Sequence, residues 1–314
     1  MKFCALLLIL SCACSTVARA PRGPYVVVLG TAQDGGLPQI GCAQPQCVRA
    51  REDASRRRFV TSLLLADPRS GRRWLFDASP DLPQQFELAR PHPATRVESG
   101  PKPQLFDGVF LTHAHVGHFA GLIHFGREVY GASGLPVFTS PRMGEFLAAN
   151  GPWSLSVRTG AIELAEAPIG REMQLGDGLF VSALRVPHRD EFSDTLAFVV
   201  RGPRRTLAYL PDIDKWERWE VPLEEFLASV DVALVDGTFY AEGELPGRSM
   251  AEIPHPFVVE TLARLARAPA ELRAKVVFTH LNHTNPLADP RSAAREAVLD
   301  AGLRVAEDGE VLEL

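Results

Sequence analysis

Cysteine is scarce in this 314-residue chain: there are five, and Cys4, Cys12 and Cys14 fall at the very start, leaving Cys42 and Cys47 for the body. That excludes a fold built on a disulfide framework. Clustered basic charge is also missing, since Lys+Arg 33 against Asp+Glu 38 gives −5 and no basic run exceeds Arg56-Arg57-Arg58. The electrostatic footprint of a nucleic-acid binder is therefore absent, and no nucleic-acid partner is expected. The apolar run from Ala5 to Leu10 is too short to span a bilayer. The glycine-rich stretch from Gly30 to Gly36 matches neither G-x-G-x-x-G nor a P-loop, and no repeats occur. No Ser-His-Asp or Cys-His arrangement stands out for nucleophilic catalysis. What remains is the composition of an ordinary globular protein, 46% hydrophobic and 23% charged.

Residues 1–20 read as a leader. Lys2, the apolar run and the small or polar residues from Ser11 onward have the order of a charged, an apolar and a processing region. Two processing patterns compete. Ala18-Arg19-Ala20 resembles a cleavage site but is followed by Pro21, whereas Ile9-Leu10-Ser11-Cys12 resembles a bacterial lipobox, so lipidation at Cys12 is the preferred reading. Export across the inner membrane to a periplasmic, lipid-anchored location is expected, with the membrane touched only through that anchor. Residues 21–314 are expected to form a single domain.

Short apolar runs predict strands over 25–31, 61–66, 73–77, 108–112, 136–139, 180–186, 194–200, 206–210, 232–235 and 275–279. Helical patterns cover 119–130, 142–150, 223–229, 256–267 and 291–301. Strands in pairs and threes between helices indicate a mixed α/β (α+β) fold with helix-covered sheets. The proline-bearing stretch 91–103 reads as a loop. Trp216 and Trp219 read as sheet-edge packing rather than pocket lining.

Histidine carries the chemistry. Of nine, three lie in Thr112-His113-Ala114-His115-Val116-Gly117-His118, directly after an apolar strand. His113 and His115 share a face of an extended segment, and a turn at Gly117 brings His118 round. Converging imidazoles at such a spacing point to metal binding.

His-x-His-x-x-His at a strand end, followed by His188, Asp212 and His280 at later strand ends, resembles the metallo-β-lactamase superfamily of dinuclear metal enzymes, in its ribonuclease Z-like and phosphodiesterase-like branches. The segment Leu29-Gly30-Thr31-Ala32-Gln33-Asp34-Gly35-Gly36-Leu37-Pro38-Gln39 with Cys42 and Cys47, and Asp236-Gly237-Thr238-Phe239-Tyr240, are similar to the pyrroloquinoline quinone biosynthesis protein B family. The resemblance spans roughly residues 25 to 290 and implies an αββα sandwich with a metal cleft at the strand ends. It departs in places: the hydrolases carry a metal-ligating Asp before the third histidine, where this chain has Gly117, so the second metal site is expected to be weakened or rebuilt; typical members of the quinone-biosynthesis family keep that Asp and lose an earlier histidine, where this chain keeps all three; and Cys42 and Cys47 lack the middle cysteine of the family's cluster.

The resemblance implies that His113, His115 and His188 hold one divalent ion, that His118 and His280 hold a second, and that Asp212 bridges them. Zinc is preferred, with manganese or iron as alternatives, and a hydroxide held between two ions would be the nucleophile. For Asp212 the structural alternative is a turn or helix cap, with Asp214 as local competitor; for His188 it is pairing with Asp190. His255 is the candidate general acid by resemblance to ribonuclease Z-like enzymes, with Asp236 orienting it; alternatively His255 caps or packs and Asp236 starts a turn. Some phosphodiesterase-like relatives hold a structural zinc near the start of the chain, for which Cys42, Cys47 and His283 offer three donors, while a disulfide or free thiols remain open. The expected function is metal-dependent hydrolysis of a phosphodiester or other small-molecule ester. The alternatives are an iron-dependent oxygenase in quinone-cofactor synthesis and a non-catalytic, lipid-anchored metal- or ligand-binding protein. Oligomeric state is not legible in the sequence.

Overall fold

The computed structural model describes residues 21–92, 105–245, 247, 249–250 and 252–314. Cys12 with its leader, and most of the proline-bearing stretch, lie outside the described residues. Strands β1 (Tyr25–Gly30), β2 (Ser62–Asp67), β3 (Arg72–Phe76), β4 (Gly108–Phe110), β5 (Leu135–Thr139) and β6 (Ile162–Glu166) build a first sheet. A second comprises β7 (Met173–Gly176), β8 (Leu179–Val186), β9 (Thr195–Arg201), β10 (Thr206–Leu210), β11 (Val232–Asp236), β12 (Val276–Thr279) and β13 (Arg304–Val305), after which β14 (Val311–Glu313) returns to pair with β1.

Strand order is β14-β1-β2-β3-β4-β5-β6 in one sheet and β13-β12-β11-β10-β9-β8-β7 in the other. Pairing is parallel from β3 to β6 and from β10 to β13. Parallel strands send their carboxyl ends to one side, and the loops that leave those ends are where such sheets place ligands.

Side-chain alternation explains the layering. In β1, Val26 and Val28 join a core with Leu63, Phe76, Phe110, Phe198, Tyr209 and Val277, between the two sheets. Tyr25, Val27 and Leu29 point the other way, against Leu82, Phe106, Met143 and Leu147. On the far side of the second sheet, Ala208, Leu210, Val235 and Phe278 pack against Val258, Leu265 and Val298. The result is the expected αββα sandwich. Full burial of each such aliphatic or aromatic side chain contributes about 1.5–3 kcal/mol. Phe76 lies 4.9 Å from Phe110 and 5.4 Å from Phe198 by ring centroid, and 6.4 Å from Tyr209, so an aromatic cluster joins the two sheets.

The ten predicted strands are all present, and the four that the apolar pattern does not reveal, β6, β7, β13 and β14, are the outer edges of the two sheets. Edge strands are short and half-solvated, so they carry little apolar signal. The helix predicted over 119–130 is corrected: a single α-turn, Val116–Phe119, runs into a 3-10 segment, Ala120–Phe125. The cause is Gly121, where an added Cβ would lie 2.0 Å from the Ser79 carbonyl oxygen, so this segment is drawn onto the end of β3 instead of continuing as a helix. Helices Pro45–Glu52, Leu82–Ala89, Trp153–Arg158 and Ala270–Arg273 add to those predicted. Among the described residues, no helix is long and apolar enough to cross a membrane. Trp216 and Trp219 pack in the core over the second sheet, with Trp216 Nε1 donating to Thr261 Oγ1 at 2.9 Å.

Candidate metal centre

Six strand ends deliver the site. Asp77 follows β3, His113 to His118 follow β4, His188 follows β8, Asp212 follows β10, Asp236 ends β11 and His280 follows β12. His113, His115, His188 and Asp212 bring one ligand atom each to within 4.8 Å of one another. His118 and His280 converge likewise, with ring nitrogens 3.2 Å apart. Asp212 faces both groups: Oδ1 lies 3.5 Å from His188 Nε2, while Oδ2 lies 3.2 Å from His113 Nε2, 3.4 Å from His118 Nε2 and 3.6 Å from His280 Nε2. Asp214, its local competitor, turns away to Arg218 at 2.6 Å. Asp190 accepts from Thr195 rather than from His188.

Two buried carboxylates behind this surface set the tautomers. Asp77 accepts from His118 Nδ1 at 2.7 Å and from the Thr112 hydroxyl at 3.0 Å. Having donated to Asp77, that hydroxyl accepts from His113 Nδ1 at 3.0 Å. Asp236 does the same work on the other sheet, accepting the Thr238 hydroxyl at 2.7 Å, which then accepts from His280 Nδ1 at 2.8 Å. In each case Nδ1 carries a proton and Nε2 is the nitrogen turned inward, the one that a metal would take. His115 is mounted the other way round, with Nε2 on Glu191 at 3.0 Å and Nδ1 facing His113 Nε2 at 2.8 Å.

The electrostatics agree with a ligand set. Burial pushes the pKa of His113 well below its ordinary value, that of His188 to about 4, and that of His280 down, disfavouring the charged form of each. Burial alone would raise Asp212, but His188, His280, His255 and His113 around it hold its carboxyl well below the usual range. The buried atoms His188 Nδ1, His188 Nε2 and Asp212 Oδ1 have no hydrogen-bond partner. Each such atom costs about 1–3 kcal/mol when unsatisfied. Imidazole and carboxylate donors left bare in this way fit divalent ions of the zinc or manganese type.

Asp236 also meets His255, whose Nδ1 lies 2.7 Å from Asp236 Oδ2 and 3.2 Å from Asp212 Oδ1. Burial opposes protonation of His255, yet these two carboxylates outweigh it and raise its pKa. Gln33, Arg189, Phe239, Ile253 and His255 line a cleft beside the ligands. Away from the centre, Cys42, Cys47 and His283 bring their donor atoms within 4.8 Å of one another, and both cysteines are free.

Three site residues lie beyond the sequence pattern. Asp77 and Thr112 carry no spacing signal of their own. Asp34 joins His118 and His280 with its donor atom within 4.8 Å of theirs. At the second group, expected to be weakened or rebuilt at Gly117, a carboxylate from the loop after β1 stands beside the two histidines.

A family model for the beta-lactamase superfamily domain matches residues 72–307. Over 92% of the chain, it is 30% identical to coenzyme PQQ synthesis protein B of Methylobacterium sp. (strain 4-46) and 31% identical to that of Methylobacterium radiotolerans, covering 99% of each relative. Among solved structures, zinc-bound PqqB from Methylobacterium extorquens superposes with a TM-score of 0.77 at 24% identity, over 92% of this chain and 100% of that one. A diphosphatase of the PhnP family gives 0.63 at 20% identity, over 93% of this chain and 97% of that one. These structural likenesses show the shared fold. Together with the histidine and carboxylate geometry at the strand ends, the family match shows that the chain belongs to the metallo-β-lactamase superfamily.

Proposed function

We propose that the protein is a metal-dependent hydrolase acting on a phosphodiester or another small-molecule ester. The observation that carries this reading is Asp212, a buried carboxylate that stands between two histidine groups, with His113 and His188 on one side and His118 and His280 on the other. Such an arrangement suits a pair of divalent ions. Such ions would supply Lewis acidity to an ester oxygen and would acidify a water molecule. His113, His115 and His188 would hold one ion, His118 and His280 the other, with Asp212 shared.

The chain's own residues supply the remainder. His255 stands at the cleft with Nδ1 anchored on Asp236, so its ring is oriented and its protonated form is favoured. It is placed to give a proton to a departing alkoxide, a role worth about 10²–10⁴ in rate. Arg189 on the same cleft favours an anionic substrate. Cys42, Cys47 and His283 are proposed as a separate structural zinc site. The Lys2 to Cys12 segment supports a periplasmic, lipid-anchored location.

Similarity to coenzyme PQQ synthesis protein B over 92% of the chain favours a second reading, a role in synthesis of that cofactor; iron-dependent oxygenation is the reaction proposed under it. Reconstitution with zinc, manganese or iron(II), followed by a screen of phosphodiesters and esters, separates the two. Turnover with zinc or manganese that disappears in His115→Ala supports hydrolysis. Activity only with iron(II) and dioxygen supports the second reading.

A further inference from the structure

The geometry points to Asp34 as the carboxylate ligand of the second metal, standing in the volume that a side chain at position 117 would otherwise fill. This assignment rests on the metallo-hydrolase reading and names how its second ion is held. A Cβ built on Gly117 would lie 2.3 Å from Asp34 Oδ1, 3.2 Å from its Cγ and 2.9 Å from its Cα. The Asp34 carboxyl group therefore sits where the first atoms of a residue-117 side chain would go. Oδ1 is fixed there by the Gly117 N–H at 2.9 Å. One oxygen of this carboxylate and the ring nitrogens of His118 and His280 lie within 4.8 Å of one another, close enough to share an ion.

The loop that carries Asp34 is tied down where it leaves β1. Thr31 N and Ala32 N donate to the Phe59 carbonyl at 2.9 and 2.8 Å, and Gln33 N donates to the Leu281 carbonyl at 2.9 Å, next to His280. Ala32 bridges Leu281 in parallel register, so the chain leaving β1 crosses from the first sheet to the second before reaching Asp34. Asp34 and His280 thus move as one unit. With Asp34 in place, position 117 has no room for a side chain, because its Cβ would meet both the Asp34 carboxylate and the Asp34 Cα.

The test is zinc stoichiometry and affinity on purified, chelator-stripped protein, read by elemental analysis and by calorimetry. Asp34→Asn keeps an acceptor for Gly117 N–H but removes the charge. It should retain the first ion and weaken the second by more than the roughly 10–100-fold that losing an outer hydrogen bond costs. Gly117→Ala, whose Cβ meets Asp34 Oδ1 and Cα, should weaken the second ion likewise by displacing the Asp34 loop, without offering a carboxylate of its own. An Asp34→Asn protein that binds two ions with unaltered affinity overturns the assignment and leaves the hydrolase reading standing. A Gly117→Ala protein that keeps the second ion at full affinity overturns the shared-volume argument. A parent protein with no histidine-dependent metal overturns the hydrolase reading itself.

Discussion

Replacing Asp77 by Asn should disarm His118 without touching any residue in contact with substrate. Four donor contacts converge on this fully buried carboxylate: Thr112 N at 2.8 Å, the Thr112 hydroxyl at 3.0 Å, the Tyr209 hydroxyl at 3.0 Å and His118 Nδ1 at 2.7 Å. An amide has one accepting oxygen where a carboxylate has two. If that oxygen serves Thr112, the NH₂ faces His118 and Tyr209; if it serves them, the Thr112 N–H is stranded. Each buried donor left unpaired costs about 1–3 kcal/mol. In the first arrangement His118 must take its proton on Nε2, the nitrogen that faces Asp212 and His280, and the second ion loses a ligand. The expected loss is roughly 10–100-fold in affinity for that ion. Asp77 has φ 60, a conformation that Asn tolerates as well as Asp, so backbone strain does not confound the comparison. Chelator competition measures the affinity and denaturant unfolding of the stripped protein measures the stability. Tyr209→Phe, which removes one hydroxyl donor and leaves the His118 bond intact, is the control. Lower stability with unaltered affinity in Asp77→Asn, or equal affinity loss in Tyr209→Phe, would refute the tautomer argument.

Three further outcomes follow from the same geometry. His255→Ala should keep both metals by elemental analysis yet lose about 10²–10⁴ in rate, with substrates bearing good leaving groups least affected. In the metal-free protein, burial works against charging His118, but Asp77 and Asp212 raise its pKa from 6.5 to about 10. Its ion pair therefore stabilises the metal-free fold fully below the unfolded pKa and ceases to do so as pH rises through the folded one. Stripped protein should lose stability between pH 7 and about 10, and zinc binding at pH 7 should release a proton, seen by calorimetry in two buffers of different ionisation enthalpy. Gly121→Ala places a Cβ 2.0 Å from the Ser79 carbonyl oxygen, where backbone must move. It should lower thermal stability by roughly 1–3 kcal/mol and weaken metal binding together, because Ala78 N, beside that carbonyl, holds the His118 carbonyl at 2.9 Å.

What the sequence discloses about this molecule follows the range of its signals. Central strands are continuous apolar runs and are legible; the four sheet edges are not, because one side of each faces solvent. His113, His115 and His118 declare themselves by local spacing, and His188, Asp212 and His280 by following strands of the expected kind. The residues that complete the centre act across long separations. Asp34 meets Gly117 over 83 positions, and Asp77 meets Tyr209 over 132. Neither pairing has a spacing rule, since it exists only once the loop after β1 crosses to the second sheet and the two inner faces close on each other. Gly117 was the one visible trace of the first pairing: a missing carboxylate marks the place where another could enter.

The central claim is that two ions in this centre deliver water to an ester, and isotope incorporation under argon tests it most directly. Zinc- or manganese-reconstituted protein is incubated without dioxygen in ¹⁸O-labelled water with the best substrate from the ester screen. The geometry predicts turnover, one labelled oxygen in the product, and loss of both in His115→Ala. Turnover that requires iron(II) and dioxygen, with the label absent from the product, would contradict it.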